Sequence, residues 1–319
     1  MQYLDFEKPI YELEKKISEL KEFADDENLE ITHEIEVLSA KLDKLQKEIY
    51  DKLNRWQRVK LARHPARPYT LDYIHAISTD FIELHGDRGY ADDKAMVMGF
   101  ATIEGRKLLI VGQQKGRDVK QRQYRNFGMC HPEGYRKALR GFQLANRYKL
   151  PIVILIDTPG AYPGIEAEER GQAEAIARNL REMCRLYVPI VCVVIGEGAS
   201  GGALGIGIGD RIYMTENSWY SVISPEGCAA ILWKENAQEK YETAANALKV
   251  TAQDALDLGI VDDIITEPLG GAHRSPQQAF SSVKDYIMNA LDELEKLDPQ
   301  ELIRQRIDKY RKMGIFGIE

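Results

Sequence analysis

Two glycine-rich segments carry the pattern in this 319-residue chain that most directly suggests chemistry. Residues 190–210 read IVCVVIGEGASGGALGIGIGD, and residues 157–164 read DTPGAYPG. In each case an apolar run typical of a buried strand leads through glycines toward a predicted helix. The first N–H groups of a helix lack partners within it and attract negative charge. Both segments are therefore candidates for binding an anion through backbone N–H groups.

The first of three interpretations of residues 190–210 is a dinucleotide site. Gly196, Gly198 and Gly201 match the G-x-G-x-x-G pattern, and Glu216 lies twenty residues after Gly196. The short helix predicted over 203–209 counts against it, because three further glycines make that segment poor helix material. Direct nucleotide hydrolysis is also disfavoured, because the sequence contains no G-x-x-x-x-G-K-[ST] motif.

The second interpretation is a serine hydrolase. Gly198, Ser200 and Gly202 match the G-x-S-x-G nucleophile pattern between a strand and a helix. A catalytic histidine must follow, and His273 is the one histidine after Ser200. Asp262 or Asp263 would then be the third member of the triad.

The third interpretation needs no side-chain nucleophile, since backbone N–H groups can stabilise a developing oxyanion directly. Consecutive parallel strands place their carboxyl-end loops side by side, at the edge where α/β proteins bind ligands. The 157–164 and 190–210 segments would then form one paired donor site. Two tight turns without a ligand remain the alternative.

A basic loop follows the second predicted strand of the main domain. It contains Lys115, Arg117, Lys120, Arg122 and Arg125. Such a loop could meet phosphates of a ligand or acidic groups of a partner, and it could equally be a solvated face.

Composition narrows the class of protein. With 44% hydrophobic and 29% charged residues the chain is typical of globular proteins, and its net charge of −7 argues against nucleic-acid binding. The longest apolar runs fall short of the about 20 residues that cross a membrane, and no signal-peptide pattern is present. We therefore expect a cytoplasmic protein. Four cysteines without C-x-x-C spacing predict neither disulfides nor a metal site.

Periodicity divides the chain into three predicted domains. Apolar residues at helical spacing in 1–62 predict a helical hairpin with a coiled-coil-like seam, suited to oligomerisation or packing. Residues 63–275 form the main α/β domain, and residues 276–319 read as C-terminal helices. Within the main domain the predicted helices are Leu71–Leu84, Pro132–Tyr148 and Glu166–Leu186, and the predicted strands are Met96–Ile103, Lys107–Gly112, Ile152–Ile156, Ile190–Ile195, Arg211–Met214 and Trp219–Ile223.

Taken together, these motifs resemble the alpha subunits of the carboxyltransferase component of bacterial acetyl-coenzyme A carboxylase. The order and spacing of seven stretches carry the resemblance: RPYTLDYI, GDRGYADDKA, RNFGMCHPEGYRKALR, DTPGAYPGIEAEERGQAEAIARNLREM, GEGASGGALGIGIGD, SVISPEGCAAILWK and EPLGGAHR. It covers nearly the whole chain. The resemblance implies a crotonase-like (ClpP/crotonase) fold, a spiral of strand-strand-helix units.

The resemblance also implies the reaction and the partners. The expected activity is transfer of a carboxyl group from carboxybiotin, held on a biotin carboxyl carrier protein, to acetyl-CoA, which gives malonyl-CoA for fatty acid synthesis. A beta subunit would complete the site in an α2β2 assembly and carry the zinc, so no metal is expected here. A separate biotin carboxylase would consume the ATP.

Site residues follow from the same resemblance. The N–H groups of Gly201, Gly202, Gly160, Ala161 and Gly164 would form the oxyanion hole for carboxybiotin, and the biotin site would be lined by Gly198, Ala199, Ser200 and Tyr162. The hole for the thioester would lie mainly on the beta subunit. Ala199 departs from the family pattern, in which a glycine is expected, but its methyl group removes no N–H donor.

Overall fold

A computed structural model describes residues 3–27 and 32–314 of the chain. Its strands are β1 (Thr79–Glu83), β2 (Met96–Ile103), β3 (Arg106–Gln113), β4 (Ile152–Thr158), β5 (Ile190–Ala199), β6 (Arg211–Thr215), β7 (Trp219–Ser221) and β8 (Asp263–Ile265). Its helices are α1 (Lys8–Glu27), α2 (Thr32–Asp51), α3 (Arg55–Ala62), α4 (Thr70–Ile77), α5 (Val119–Tyr124), α6 (Pro132–Tyr148), α7 (Ile165–Glu169), α8 (Gln172–Met183), α9 (Ser200–Leu204), α10 (Pro225–Trp233), α11 (Tyr241–Leu248), α12 (Ala252–Asp257), α13 (Pro276–Leu294) and α14 (Pro299–Arg311).

The eight strands of the described residues form one mixed sheet, in the order β1-β2-β3-β4-β5-β6-β8, with β7 pairing the end of β5. The first three strands are antiparallel, and β3, β4, β5, β6 and β8 run parallel. The predicted hairpin between β2 and β3 is confirmed. Its turn residues Glu104 and Gly105 both have positive φ, as a two-residue turn of this hand requires.

Apolar side chains cover both faces of the sheet, which confirms the predicted α/β class with buried parallel strands. Residues of β5 alternate between the two cores. Cys192 and Val194 pack on the side of α6 and α8, whereas Val191 and Val193 pack on the side of α4 and α13. The functional loops therefore emerge from a rigid layer.

Two predicted helices of the main domain were wrong in extent. The helix predicted over Leu71–Leu84 ends at Ile77, and the following residues pair with β2 as the edge strand β1. The helix predicted over Glu166–Leu186 is split into α7 and α8 at Gly171, whose φ of +83° interrupts the helix.

The 190–210 segment also differs from its prediction. Strand β5 continues through Gly196 and Gly198 to Ala199, because β7 pairs with residues 197–199. The short helix α9 begins at Ser200 and ends at Leu204, so the helix predicted over 203–209 was wrong. The turn from strand to helix occurs at Ser200, at a positive φ of 56°.

The outer helices match the pattern seen in the sequence. Helices α1 and α2 pack against each other, with Ile10 and Ile17 buried. Residues 28–31, between α1 and α2, lie outside the described residues. At the other end, the buried Arg306 of α14 donates to Asp210 and to three backbone carbonyls. The division at 62 and 275 stays a prediction.

Candidate functional site

The two glycine-rich segments meet at the carboxyl ends of β4 and β5. These strands are parallel neighbours, and Thr158 is paired in register with Gly198. The loop after β4 therefore lies beside the start of α9, which follows β5. Each loop then enters a helix, α7 in one case and α9 in the other.

Close approach between the loops requires glycine at one position. A β-carbon on Gly202 would stand 2.4 Å from the carbonyl carbon of Gly160 and 2.6 Å from the nitrogen of Ala161. Both contacts are with backbone, which cannot move aside without displacing the loop. At Gly201, in contrast, a β-carbon would meet only the side chain of Ile176, at 3.4 Å. The contact between the loops thus depends on Gly202.

The three predicted N–H donors of the loop after β4, at Gly160, Ala161 and Gly164, lie at different distances from Gly202. Ala161 lies directly against Gly202, whereas the N–H of Gly160 already donates to the Thr158 hydroxyl at 3.1 Å. Gly164 lies further along, as the residue before α7, where a β-carbon would meet Tyr162 and Glu166 instead of Gly202. Gly202 therefore packs against the peptide bond between Gly160 and Ala161, and the N–H of that peptide belongs to Ala161.

The four residues predicted to line the biotin site lie in different surroundings. Ser200 is exposed and borders a cavity of about 530 Å³, together with Gly201 and Tyr220. Ala199 is buried in an apolar cluster with Trp219, and a β-carbon on Gly198 would enter the Tyr220 ring. Tyr162 lies in the first loop and stacks on His131 with ring centroids 4.0 Å apart.

A hydrolase triad is not assembled around Ser200. The imidazole of His273 stacks on His64, with ring centroids 3.9 Å apart, and lies 3.9 Å from the carboxylate of Glu7. Burial lowers the pKa of His273 to about 3, so it is a poor base. Asp262 instead pairs with Lys309, and Asp263 accepts from Tyr286. The strained turn at Ser200 thus lacks the partners that activate a serine.

A buried ion cluster of Lys115, Asp157, Glu197 and Arg63 lies at the strand ends that carry the two loops. It was not predicted from the sequence. The ammonium of Lys115 lies 2.6 Å from Asp157 and 2.5 Å from Glu197, and Arg63 donates to Glu197 at 2.6 Å. Burial alone would raise the pKa of Glu197, but Lys115 and Arg63 hold it at about 2. The cluster ties the ends of β3, β4 and β5 together. Its sequence signal was weak, since charged residues at strand ends are usually solvated.

The cations of the basic loop have different partners within the chain. Lys115 belongs to the ion cluster, and Arg117 pairs with Asp72. Arg122 and Arg125 donate to the backbone carbonyls of Gly116 and Lys94. Most of this positive charge is therefore used within the chain, although Arg122 also borders a smaller cavity of about 240 Å³ beside Lys115 and Glu197.

Metal sites and membrane-spanning helices bear on other classes of function. Across 3–27 and 32–314, no three His, Cys, Asp or Glu side chains converge as a metal-ion site would require. Over the same residues, every helix is too short or too polar to cross a membrane.

The chain is similar to known proteins over nearly its whole length. A family model described as acetyl co-enzyme A carboxylase carboxyltransferase-like matches residues 3–314. The acetyl-coenzyme A carboxylase carboxyl transferase subunit alpha of Flavobacterium johnsoniae is 57% identical, over 98% of this chain and 99% of the relative. The protein of the same name from Pelodictyon phaeoclathratiforme is 56% identical, over 99% and 98%.

Solved structures give the fold. A transcarboxylase 12S structure with hydrolysed methylmalonyl-coenzyme A superimposes with a TM-score of 0.56 and 26% identity, over 70% of this chain and 41% of that longer one. A Pseudomonas malonate decarboxylase hetero-tetramer with coenzyme A gives a TM-score of 0.55 at 14% identity, over 67% and 84%. These likenesses confirm the predicted crotonase-like architecture.

Proposed function

The chain belongs to the acetyl co-enzyme A carboxylase carboxyltransferase-like family, and from that premise we propose that its two glycine loops form the carboxyl-donor half of the transfer site. The function is that of the alpha subunit, a carboxyl transferase that moves a carboxyl group from carboxybiotin to acetyl-CoA and so forms malonyl-CoA. The remaining question is how the residues of this chain contribute.

The contact between Gly202 and Ala161 carries the proposal. When carboxybiotin gives up its carboxyl group, negative charge develops on the ureido oxygen. The N–H groups of Gly201, Gly202 and Ala161 stabilise that oxygen, with Gly160 and Gly164 shaping the first loop. In hydrolases, one such fixed donor contributes about 3–4 kcal/mol to the transition state. Donors fixed by packing need no reorganisation during the reaction, which is why close backbone contact serves this chemistry.

The surroundings of Gly201 suit a neutral ring. The cavity of about 530 Å³ that begins at Ser200 and Gly201 is lined mainly by apolar side chains, among them Leu204, Tyr220 and Val222. An apolar cavity with a few polar groups at one end is the usual form of a small-molecule site. In this proposal Gly198, Ala199 and Tyr162 frame the site, and Ser200 borders it without reacting.

A beta subunit of the same complex supplies the thioester half of the site. Large apolar side chains are exposed beside the cavity and on the next helix, α10. Val222 is 79% exposed, Ile231 67% and Leu232 63%. Exposed apolar groups of this kind mark surfaces that a partner covers. The proposed assembly is α2β2, served in the cytoplasm by a biotin carboxyl carrier protein and a biotin carboxylase.

The test of this proposal is partner dependence. The chain is co-purified with its beta subunit, and the reverse transfer from malonyl-CoA to free biotin is measured as acetyl-CoA formed. We expect biotin-dependent turnover by the complex and almost none by either subunit alone. Full turnover by this chain alone would refute the shared site.

A further inference from the structure

One glutamine side chain connects the two glycine loops. Gln113 is the last residue of β3 and is fully buried. Its amide nitrogen donates to the carbonyl oxygen of Gly202 at 2.9 Å, and its amide oxygen accepts from the N–H of Asp157 at 3.2 Å. The side chain thus reaches from β3 across the end of β4 to the helix that follows β5.

The helix that carries Gly202 is too short to be stable without contacts from the rest of the fold. Helix α9 has five residues, Ser200–Leu204, and two of them are glycines. So short a helix is unstable by itself, and each glycine weakens it further. External contacts must therefore fix the orientation of its peptide groups.

The carbonyl of Gly202 shows where that support is needed. Continuation of the helix would bring it the N–H of Ile206, but that N–H donates to Ala203 at 3.3 Å instead. Gln113 takes its place, with the Tyr135 hydroxyl more distant at 3.4 Å. A buried carbonyl without a partner is costly, so this bond fixes the peptide between Gly202 and Ala203, and with it the short turn of α9 that also carries the N–H of Gly202.

The other end of the same amide holds the end of β4, from which the first loop leaves. The N–H of Asp157 lies near the end of that strand, and the next residue, Thr158, orients Gly160 of the loop through its hydroxyl. One planar amide therefore sets the position of both loops at once.

We infer that Gln113 is a positioning residue for carboxyl transfer, which sets the orientation of the N–H donors at Gly202 and Ala161 without touching the substrate. This inference rests on the proposed function of the two loops. Gln113 acts through Gly202 and Asp157, so its loss misaligns donors that are otherwise intact.

A neighbouring residue provides a matched control. Gln114 is also a buried glutamine, at 8% exposure, and it too makes two side-chain hydrogen bonds. It accepts from the N–H of Leu71 at 2.8 Å and donates to the carbonyl of Lys115 at 2.7 Å. Gln114→Leu therefore loses equivalent interactions without releasing either glycine loop.

The experiment compares Gln113→Leu, Gln113→Glu and Gln114→Leu in the complex with the beta subunit. Gln113→Glu keeps an oxygen for the Asp157 N–H, and its ionised carboxylate replaces the donor to Gly202 with an oxygen that repels the Gly202 carbonyl. Both Gln113 variants are expected to lower kcat of reverse transfer about 100-fold, the effect of one misplaced oxyanion donor, with KM for malonyl-CoA unchanged. Gln114→Leu should keep its kcat.

Hydrogen exchange gives a readout independent of turnover. Amides of residues 157–164 and 200–205 should exchange faster in Gln113→Leu than in Gln114→Leu, at similar melting temperatures. Equal kcat and equal exchange in the two leucine variants would overturn the inference. If Gln113→Leu fails to fold, Gln113→Glu decides the question by the same measurements. An unmodified complex without biotin-dependent turnover would instead refute the proposed function.

Discussion

The backbone of Gly202 rests against the peptide that joins Gly160 to Ala161, and a single methyl group at Gly202 would come within 2.6 Å of the Ala161 nitrogen. The start of α9 is therefore packed backbone to backbone against the loop that leaves the neighbouring strand β4. This contact explains why glycine is needed here, and in the proposed site it brings the backbone N–H groups of the two loops close together.

Replacement of Ser200 by alanine is expected to leave carboxyl transfer within about threefold of the unmodified rate, since loss of a catalytic nucleophile costs orders of magnitude more. The reason is that His273, Asp262 and Asp263 all have other partners. The measurement is kcat for malonyl-CoA-dependent carboxylation of biotin. A fall of 1000-fold or more would restore the nucleophile interpretation.

Replacement of Lys115 by methionine should destabilise the fold by about 3–5 kcal/mol, as expected when one partner of a buried ion pair is removed. Asp157 and Glu197 would remain buried at 2% and 5% exposure without their shared cation. Urea unfolding measures the change. Lys284→Met is the control, because its pair with Glu104 lies at the surface, and the midpoint should hardly move. Equal effects of the two substitutions would contradict the supporting role of the cluster.

Stability should fall as the pH is lowered from about 6.5 toward 5 because of His273. Burial and nearby cations lower its pKa to about 3 in the folded protein, whereas the unfolded chain takes up a proton below about 6.5. The unfolded state then binds more protons, so acid favours it, by about 2 kcal/mol at pH 5. The charged and titratable groups that act on the ring are Glu7, His64, Arg67, Glu267 and Arg274.

The check compares urea unfolding at pH 7 and pH 5 in His273→Gln and in His75→Gln, a substitution on the exposed side of α4. Between pH 7 and pH 5, His273→Gln should lose less stability than the unmodified chain. His75→Gln should lose as much stability as the unmodified chain. Carboxylates such as Glu197, with a pKa of about 2, act mainly below this window. An unchanged pH dependence in His273→Gln would contradict the assignment.

Substitution of aspartate at Leu232 should weaken association with the beta subunit at least 10-fold, because a charge would be buried in the apolar surface of α10. Leu232 is 63% exposed in the isolated chain, so the folded subunit should tolerate the change. Ile82→Asp is the matched control, since Ile82 is 65% exposed on the edge strand β1. Co-purification yield and titration of activity measure the effect. Equal association of both variants would place the partner elsewhere.

Much of this molecule could be predicted from the sequence because its signals were local. The β2–β3 hairpin, the buried strands β4 and β5, helix α6 and the outer helices follow from periodicity and turn residues. That the loops after β4 and β5 lie side by side could also be predicted, because consecutive parallel strands place their carboxyl ends at the same edge of a sheet. What failed were boundaries set by tertiary pairing: β7 extends β5 through its glycines, and β2 captures residues 79–83 as a strand.

The interior of the site was beyond the sequence for a different reason. Lys115, Asp157 and Glu197 are far apart in the chain, and their charges gave no hint of burial. Gln113 likewise matters only because the fold places its amide between Asp157 and Gly202. Such long-range polar contacts carry no periodic signal.

The most direct test of the account is the rate of reverse carboxyl transfer by the reconstituted complex carrying Gly202→Ala, compared with Gly201→Ala. A methyl group at Gly202 would strike the backbone of Gly160 and Ala161, whereas one at Gly201 would make an ordinary contact with Ile176. We expect kcat to fall at least 100-fold in the first complex, the effect of losing a fixed oxyanion donor, and to change less than about threefold in the second. Full activity of the Gly202→Ala complex would contradict the paired-loop site.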